Sequence, residues 1–247
     1  MSATVLVTGA TSGIGRAAAL ALADRGWWVA AGGRDPARGD EVRRALGDRG
    51  DFFAGDLTEP GAPEHLRDAV VERRGRLHAL VNNAALYEQA ALTDLDQEQL
   101  DRVLDADLRA PILMARAAVE HMAGAGGGCV VNVSSEAGIA AVPGQVAYNV
   151  AKAGLNMLTR CIAVDHAAQN VRAVSVCPGT TRTPLVERAI ENSEDPAAHE
   201  RGLAGSRPAG RLGRTEEIAA AICFSVSDEA AFMTGTDVVI DGGFTAA

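Results

Sequence analysis

Thr4-Val5-Leu6-Val7-Thr8-Gly9-Ala10-Thr11-Ser12-Gly13-Ile14-Gly15 is the stretch whose reading decides the fold class. Its first five positions are apolar or β-branched, as a buried strand requires. Three glycines lead into an alanine-rich helical pattern, Ile14–Arg25, closed by Gly26. Glycines between a strand and a helix permit a tight turn, and they let backbone N–H groups and the helix N-terminus approach a pyrophosphate. A glycine pattern alone is common, so its placement between these two elements is what points to a dinucleotide.

The alternation continues along the chain. Strand-like runs at Trp28–Gly32, Asp51–Ala54, Ala79–Asn82, Cys129–Val133, Val171–Cys177 and Val238–Ile240 are separated by helical patterns. These are Ala37–Leu46, Glu64–Arg74, one long helix from about Gln97 to Met122, a helix bearing Val150, Leu155 and Ile162, and Thr215–Phe224. Asp35-Pro36 supplies an N-cap followed by a proline at the first helical position. Gly124–Gly128 precedes a strand rather than a helix and reads as a connector. The order predicts a single-domain, Rossmann-like α/β fold over residues 1–247. Its doubly wound sheet has seven parallel strands flanked by helices on both faces. Ligands of such sheets lie beyond the carboxyl ends of the strands. A polar segment at about 183–213 is expected to fold over the substrate as a lid.

Composition excludes several classes. The chain is 47% hydrophobic and 22% charged, with 48 alanines, which fits thin, closely packed helices rather than a disordered chain. A net charge of −9 argues against a nucleic-acid partner. No apolar run is long enough to span a membrane, and the first strand begins too near Met1 for a leader peptide, so a cytoplasmic location is expected. Cys129, Cys161, Cys177 and Cys223 are scattered, and the five histidines have no partner at metal-ligand spacing, so neither a disulfide nor a metal site is expected.

The chemistry is marked by an imbalance among the cations: 22 arginines and one lysine, Lys152. Lys152 falls four residues after Tyr148, one of only two tyrosines, so on a helix both project from one face. Two unit charges ~4 Å apart at an effective dielectric of ~20 interact by about 4 kcal/mol, enough to stabilise a tyrosinate toward neutral pH. Lysine suits this role as a compact ammonium; arginine is a planar fork. The competing reading is an exposed i,i+4 pair.

Tyr148-Asn149-Val150-Ala151-Lys152 matches the Y-x-x-x-K motif, and Thr8-Gly9 through Gly13-Ile14-Gly15 matches the T-G-x-x-x-G-I-G fingerprint, of the short-chain dehydrogenase/reductase family, which the whole chain resembles. Asn82-Asn83-Ala84-Ala85 is close to its N-N-A-G, and Ser135 stands thirteen residues before Tyr148, where the family has its serine. Pro178-Gly179 with Thr183-Pro184, and Asp241-Gly242-Gly243, complete the pattern. The resemblance implies hydride transfer between a nicotinamide and a ketone or secondary alcohol, by a homotetramer acting on a small-molecule carbonyl or alcohol substrate. Tyr148 would be the general acid/base and Ser135 would hydrogen-bond the reacting oxygen. Lys152 would hold the nicotinamide ribose. Gly9, Thr11, Ser12, Gly13, Ile14, Gly15, Asp56, Leu57, Asn83, Ala84, Pro178, Gly179, Thr181 and Thr183 would surround the cofactor.

Position 33, where NAD-using members carry aspartate, is Gly33, and Arg34 follows; this favours NADP(H) over NAD(H). The alternative leaves Arg34 in solvent, with Asp35 merely capping the next helix. Asp107 replaces the asparagine of the family's catalytic tetrad, keeping acceptors but losing the amide donors and adding a charge beside the lysine. Leu86, Tyr87, Glu136–Pro143, Gln145 and Leu185–Leu203 are substrate-side candidates, with Glu136, Gln145 and Tyr87 suited to binding hydroxyls. Two further readings stay open: a dinucleotide-binding sensor without turnover, and a dehydratase or epimerase on the same scaffold.

Overall fold

The computed structural model describes residues 2–247. Seven parallel strands form one sheet: β1 (Thr4–Thr8), β2 (Trp28–Gly33), β3 (Gly50–Ala54), β4 (Ala79–Asn82), β5 (Gly128–Val133), β6 (Val171–Pro178) and, after two further short strands, β9 (Thr236–Ile240). Their spatial order is β3-β2-β1-β4-β5-β6-β9. The chain winds outward from β1 in one direction and then returns past it in the other. Loops therefore diverge beyond the carboxyl ends of β1 and β4, opening the crevice that such a reversal produces.

Strand alternation decides which helices cover which face. Val5 and Val7 point to one side, where α1 (Gly13–Asp24), α2 (Pro36–Leu46) and α9 (Thr215–Val226) contribute Ala18, Leu22, Val42, Ile218 and Ile222 to a fully buried core. Leu6 points to the other side, toward Leu66 and Val70 of α3 (Ala62–Arg74), Met114 and Ala118 of α5 (Ala110–Gly124), and Ile162 of α6 (Val146–His166). Alanines at the helix contacts let these backbones sit close to the sheet.

The expected strands and most helices stand within a few residues of the sequence reading, and Gly126 and Gly127, both at positive φ, make the expected connector. Two segments differ. The long helix is not uniform: α4 (Gln97–Leu104) passes through a π turn, Asp105–Arg109, before α5. Pro111 has no N–H to give to the carbonyl four residues back, that of Asp107, so a regular α ladder fails at this point. The polar stretch after Thr183 is itself helical, as α7 (Pro184–Glu191) and α8 (Pro196–Gly205). Each begins with a capping oxygen and a proline: Thr183 Oγ1 accepts from the Val186 amide and Asp195 Oδ1 from the Ala198 amide. A parallel pair, β7 (Thr181–Arg182) and β8 (Gly213–Arg214), fastens both ends of this excursion together.

Beneath the crevice a buried polar chain crosses the sheet. Asn82 donates to Asn132 at 3.0 Å, Asn132 donates to Thr159 Oγ1 at 2.8 Å, and Thr159 meets Ser175 Oγ at 2.8 Å. Thr159 lies two turns beyond Lys152 on α6, so this chain fixes that helix against β4, β5 and β6. Thr159→Val keeps the shape and leaves buried polar groups on Asn132 and Ser175 short of a partner. Urea unfolding should show a loss of about 1–3 kcal/mol; unchanged stability would mean the chain does not anchor α6.

Candidate active site

At the end of β1 the chain turns at Gly9 (φ 65°) and Gly13 (φ 52°), conformations that side chains resist. Thr8 Oγ1 accepts from the backbone amides of Asn83 and Ala84, and Asn83 Nδ2 donates to the carbonyls of Thr8 and Gly9. The turn after β1 is thereby pinned to the end of β4. Gly15 is the tightest point: a Cβ there would lie 2.3 Å from both the Gly9 carbonyl oxygen and Asn83 Nδ2. Ser12 starts α1 without a side-chain cap, so the first amides of the helix stay free for an anionic group. Gly9, Thr11, Ser12, Gly13, Ile14, Asn83 and Ala84 all face a cleft of about 1880 Å³.

Along the same cleft, Arg34 at the end of β2 is mostly exposed and lies 3.3 Å from Asp56, which follows β3. Burial works to raise the Asp56 carboxyl, but hydrogen bonds from Thr58 and the Arg34 guanidinium outweigh it and hold the group below the usual carboxylate range. Gly33 abuts Thr11: a Cβ at position 33 would come 2.8 Å from Thr11 Cγ2. Leu57 lines the cleft beside Asp56.

At the other end, Ser135, Tyr148 and Lys152 converge from β5 and α6. Ser135 Oγ accepts from the Ala137 amide at 3.1 Å, leaving its proton free to donate. Lys152 Nζ sits 5.3 Å from the Tyr148 ring centre, so helical spacing does bring the two to one face. The lysine is fully buried. Ser134 Oγ donates to its carbonyl, and its ammonium donates to the carbonyl of Val133 at 3.4 Å.

Lys152 is paired with Asp107, 3.3 Å away and wholly buried in the π turn. Asp107 Oδ1 also accepts the Leu86 amide at 2.6 Å. Burial works against the Lys152 charge, but the Asp107 carboxylate, followed by Tyr148, outweighs it and holds the ammonium above its ordinary value. Burial pushes Asp107 above the usual carboxylate range, opposed by Lys152 and the Leu86 amide. The added charge at this position thus acts directly on the lysine.

The nicotinamide-side candidates lie where β6 ends. Pro178, Gly179, Thr181 and Thr183 line the cleft. Thr181 is buried, with its hydroxyl donating to the Gly179 carbonyl at 2.8 Å. Thr183 uses its oxygen as the α7 cap and keeps its proton free. On the substrate side, Leu86, Tyr87, Val142, Pro143, Gln145, Leu185 and Leu203 border the cleft, whereas Ile139 turns outward. Tyr87 stands edge-on to Tyr148, ring centres 5.3 Å apart, and its oxygen receives the amides of Gln89 and Gln145. Glu136, read from sequence as a binder of hydroxyls, is buried and paired with Arg207. Arg207 escaped the sequence reading altogether, because its partner is 71 residues away.

This arrangement has relatives. A family model described as enoyl-(acyl carrier protein) reductase matches residues 9–245. The chain belongs to the short-chain dehydrogenase/reductase family. It is 40% identical over 245 residues to an uncharacterized oxidoreductase of Thermotoga maritima, covering 98% of this chain and 97% of that protein. It is 42% identical to the cis-4-hydroxycyclohexanecarboxylate dehydrogenase of Sinomonas cyclohexanicum, covering 98% and 96%. It is 35% identical to the cyclopentanol dehydrogenase of a Comamonas species, again covering 98% and 96%. As a short-chain dehydrogenase/reductase it is an oxidoreductase using an NAD(P) dinucleotide. The free amides of α1 and the glycine-lined turn suit the pyrophosphate of that cofactor. Among the described residues no group of histidine, cysteine and acidic side chains is placed to hold a metal, and no helix is long and apolar enough to cross a membrane.

Gly15→Ala should weaken cofactor binding while leaving the sheet folded. Forcing a methyl into so tight a turn costs about 1–3 kcal/mol, or about ten- to hundred-fold in affinity. Fluorescence titration with the reduced dinucleotide checks this; wild-type affinity would mean the turn is not the phosphate site.

Proposed function

We propose that the protein interconverts a ketone and a secondary alcohol with NADP(H), using Tyr148 as the general acid/base. The observation that carries this reading is the convergence of Ser135, Tyr148 and the buried Lys152 on one end of the cleft whose other end holds the glycine turn. When bound, the nicotinamide supplies the hydride for reduction or accepts it in oxidation. Ser135 donates a hydrogen bond from its free hydroxyl to the reacting oxygen. Tyr148 gives that oxygen a proton when a ketone is reduced and takes one when an alcohol is oxidised. The Lys152 ammonium, close to the phenol ring, favours the negative charge that Tyr148 carries between those events. Lys152 and Thr183 line the same cleft, where the first would hold the ribose and the second the carboxamide of the bound dinucleotide.

Preference for NADP(H) rests on Arg34 and Gly33. A guanidinium at the end of β2 matches the 2′-phosphate in a charge-assisted contact. An acid at position 33, which would accept ribose hydroxyls, has little room against Thr11. The relatives named for cyclic alcohols support a compact secondary alcohol or ketone as substrate. Segment 183–213 serves as the cover of the substrate end, and the assembly is a homotetramer in the cytoplasm.

Three outcomes follow. In a spectrophotometric screen of ketones and alcohols with both dinucleotides, NADP(H) supports turnover, and Tyr148→Phe lowers kcat by about 10²–10⁴-fold with cofactor binding intact. Retained turnover in that variant would remove Tyr148 from the mechanism, and no turnover by the parent would favour a dinucleotide sensor. Arg34→Ala weakens NADP(H) by about ten- to hundred-fold and leaves NAD(H) nearly unchanged; equal losses would exclude a phosphate contact. Asp107→Asn takes away the carboxylate that holds the Lys152 ammonium above its ordinary value, so the ammonium is lost at lower pH and the alkaline limb of the pH profile of alcohol oxidation moves to lower pH. An unmoved profile would show that Asp107 has no electrical influence on the reaction.

A further inference from the structure

Directly after Ser135, the Glu136 side chain is buried in the wall of the cleft. It meets the guanidinium of Arg207, and the two side chains are only 8% and 3% exposed. The same guanidinium donates to Thr180 Oγ1 at 2.5 Å, to the Leu203 carbonyl at 2.6 Å and to Ser206 Oγ at 2.8 Å, and it lies over the Phe244 ring. The other carboxylate oxygen of Glu136 has no partner, although it is buried. It is packed against Gly179, where a Cβ would come within 2.7 Å of it.

A buried ion pair is a poor source of stability, since two apolar side chains of similar size often serve as well or better. What an apolar pair lacks is the directed fork that touches several segments at once. Here the fork joins the loop carrying Ser135, the Gly179–Thr181 turn on the nicotinamide side, the exit of α8 from the substrate cover, and the C-terminal segment. These four segments follow strands β5, β6 and β9 and the cover; backbone bonds join them in pairs, from the Gly179 amide to the Ile240 carbonyl and from the Ala209 amide to the Gly242 carbonyl, and the Arg207 guanidinium touches all four.

We infer that Glu136 and Arg207 form a latch that positions Ser135 relative to the nicotinamide-side turn and holds the α7–α8 segment against the substrate. This rests on the oxidoreductase reading above. Both are positioning residues: the acid aligns the serine loop, and the guanidinium ties that loop to the base of the cover. A displacement of about 1 Å at a reacting group costs up to about 100-fold in rate, so a loosened latch is felt in catalysis without any contact to substrate being removed.

The test replaces the charges by an apolar pair, Glu136→Leu with Arg207→Met. The double variant is expected to melt within a few degrees of wild type and to bind NADPH with unchanged Kd. Its kcat/KM should fall about ten- to hundred-fold, with KM for the ketone raised, and trypsin should cut faster after Arg188 and Arg201, the exposed arginines of α7 and α8. Arg207→Lys, which keeps the charge but loses the fork, should show the same pattern and serves if the double variant fails to fold. Wild-type kcat/KM together with wild-type tryptic rates in the folded variant would overturn the latch and leave the pair a purely structural feature. The tryptic rates need no substrate, so they decide the latch even if no ketone is turned over and the proposed reaction fails.

Discussion

An ammonium group with no access to water persists only beside a negative charge, and the Lys152–Asp107 pair satisfies that requirement behind the catalytic end of the cleft. Much of the surrounding architecture holds these two groups together. The π turn carries Asp107 inward, the Leu86 amide fixes one of its oxygens, and the carbonyl of Val133 receives the ammonium from the end of β5. α6 is in turn secured from below by Asn132 and Thr159 and from the side by Ser134, with Asn156 donating to the carbonyl of Gly138. Tyr148 is placed one turn before Lys152, so the phenol inherits its position from the same set of contacts.

The two ends of the cleft depend on different physics. The cofactor end is made of backbone: positive-φ glycines, unspent helix amides and a threonine hydroxyl that ties β1 to β4, with no side-chain volume to spare at Gly15. The catalytic end is made of buried charge, where Lys152, Asp107, Glu136 and Arg207 are all withdrawn from solvent in opposite-sign pairs. Burial strengthens these interactions and makes them sensitive to small displacements. The doubly wound topology brings the two ends together, because both lie past the carboxyl edge of one sheet.

What was legible in the sequence was whatever depended on local spacing. The alternation of strands and helices, the glycine turn, Asp35-Pro36 at the head of α2, and the four-residue step from Tyr148 to Lys152 all express short-range geometry. Two features were legible but passed over. Pro111 inside the long helix marks the place where the ladder breaks and Asp107 turns inward. Thr183-Pro184 and Asp195-Pro196 repeat the cap-and-proline pattern already read at Asp35-Pro36, and they announce α7 and α8. The Glu136–Arg207 pair had no such signal, since only the folded chain brings a residue after β5 to one after α8. Read alone, Glu136 is a polar residue beside a candidate serine, which suggested substrate contact rather than burial.

Because Lys152 is the only lysine in the chain, protein labelled with ¹⁵N at lysine Nζ gives a single side-chain signal. Titrating that signal reads the charge on which the catalytic end depends. Held by Asp107, the ammonium should remain protonated beyond the ordinary lysine value of 10.5. A signal that loses its proton below that value would contradict the buried pair and the role assigned to it.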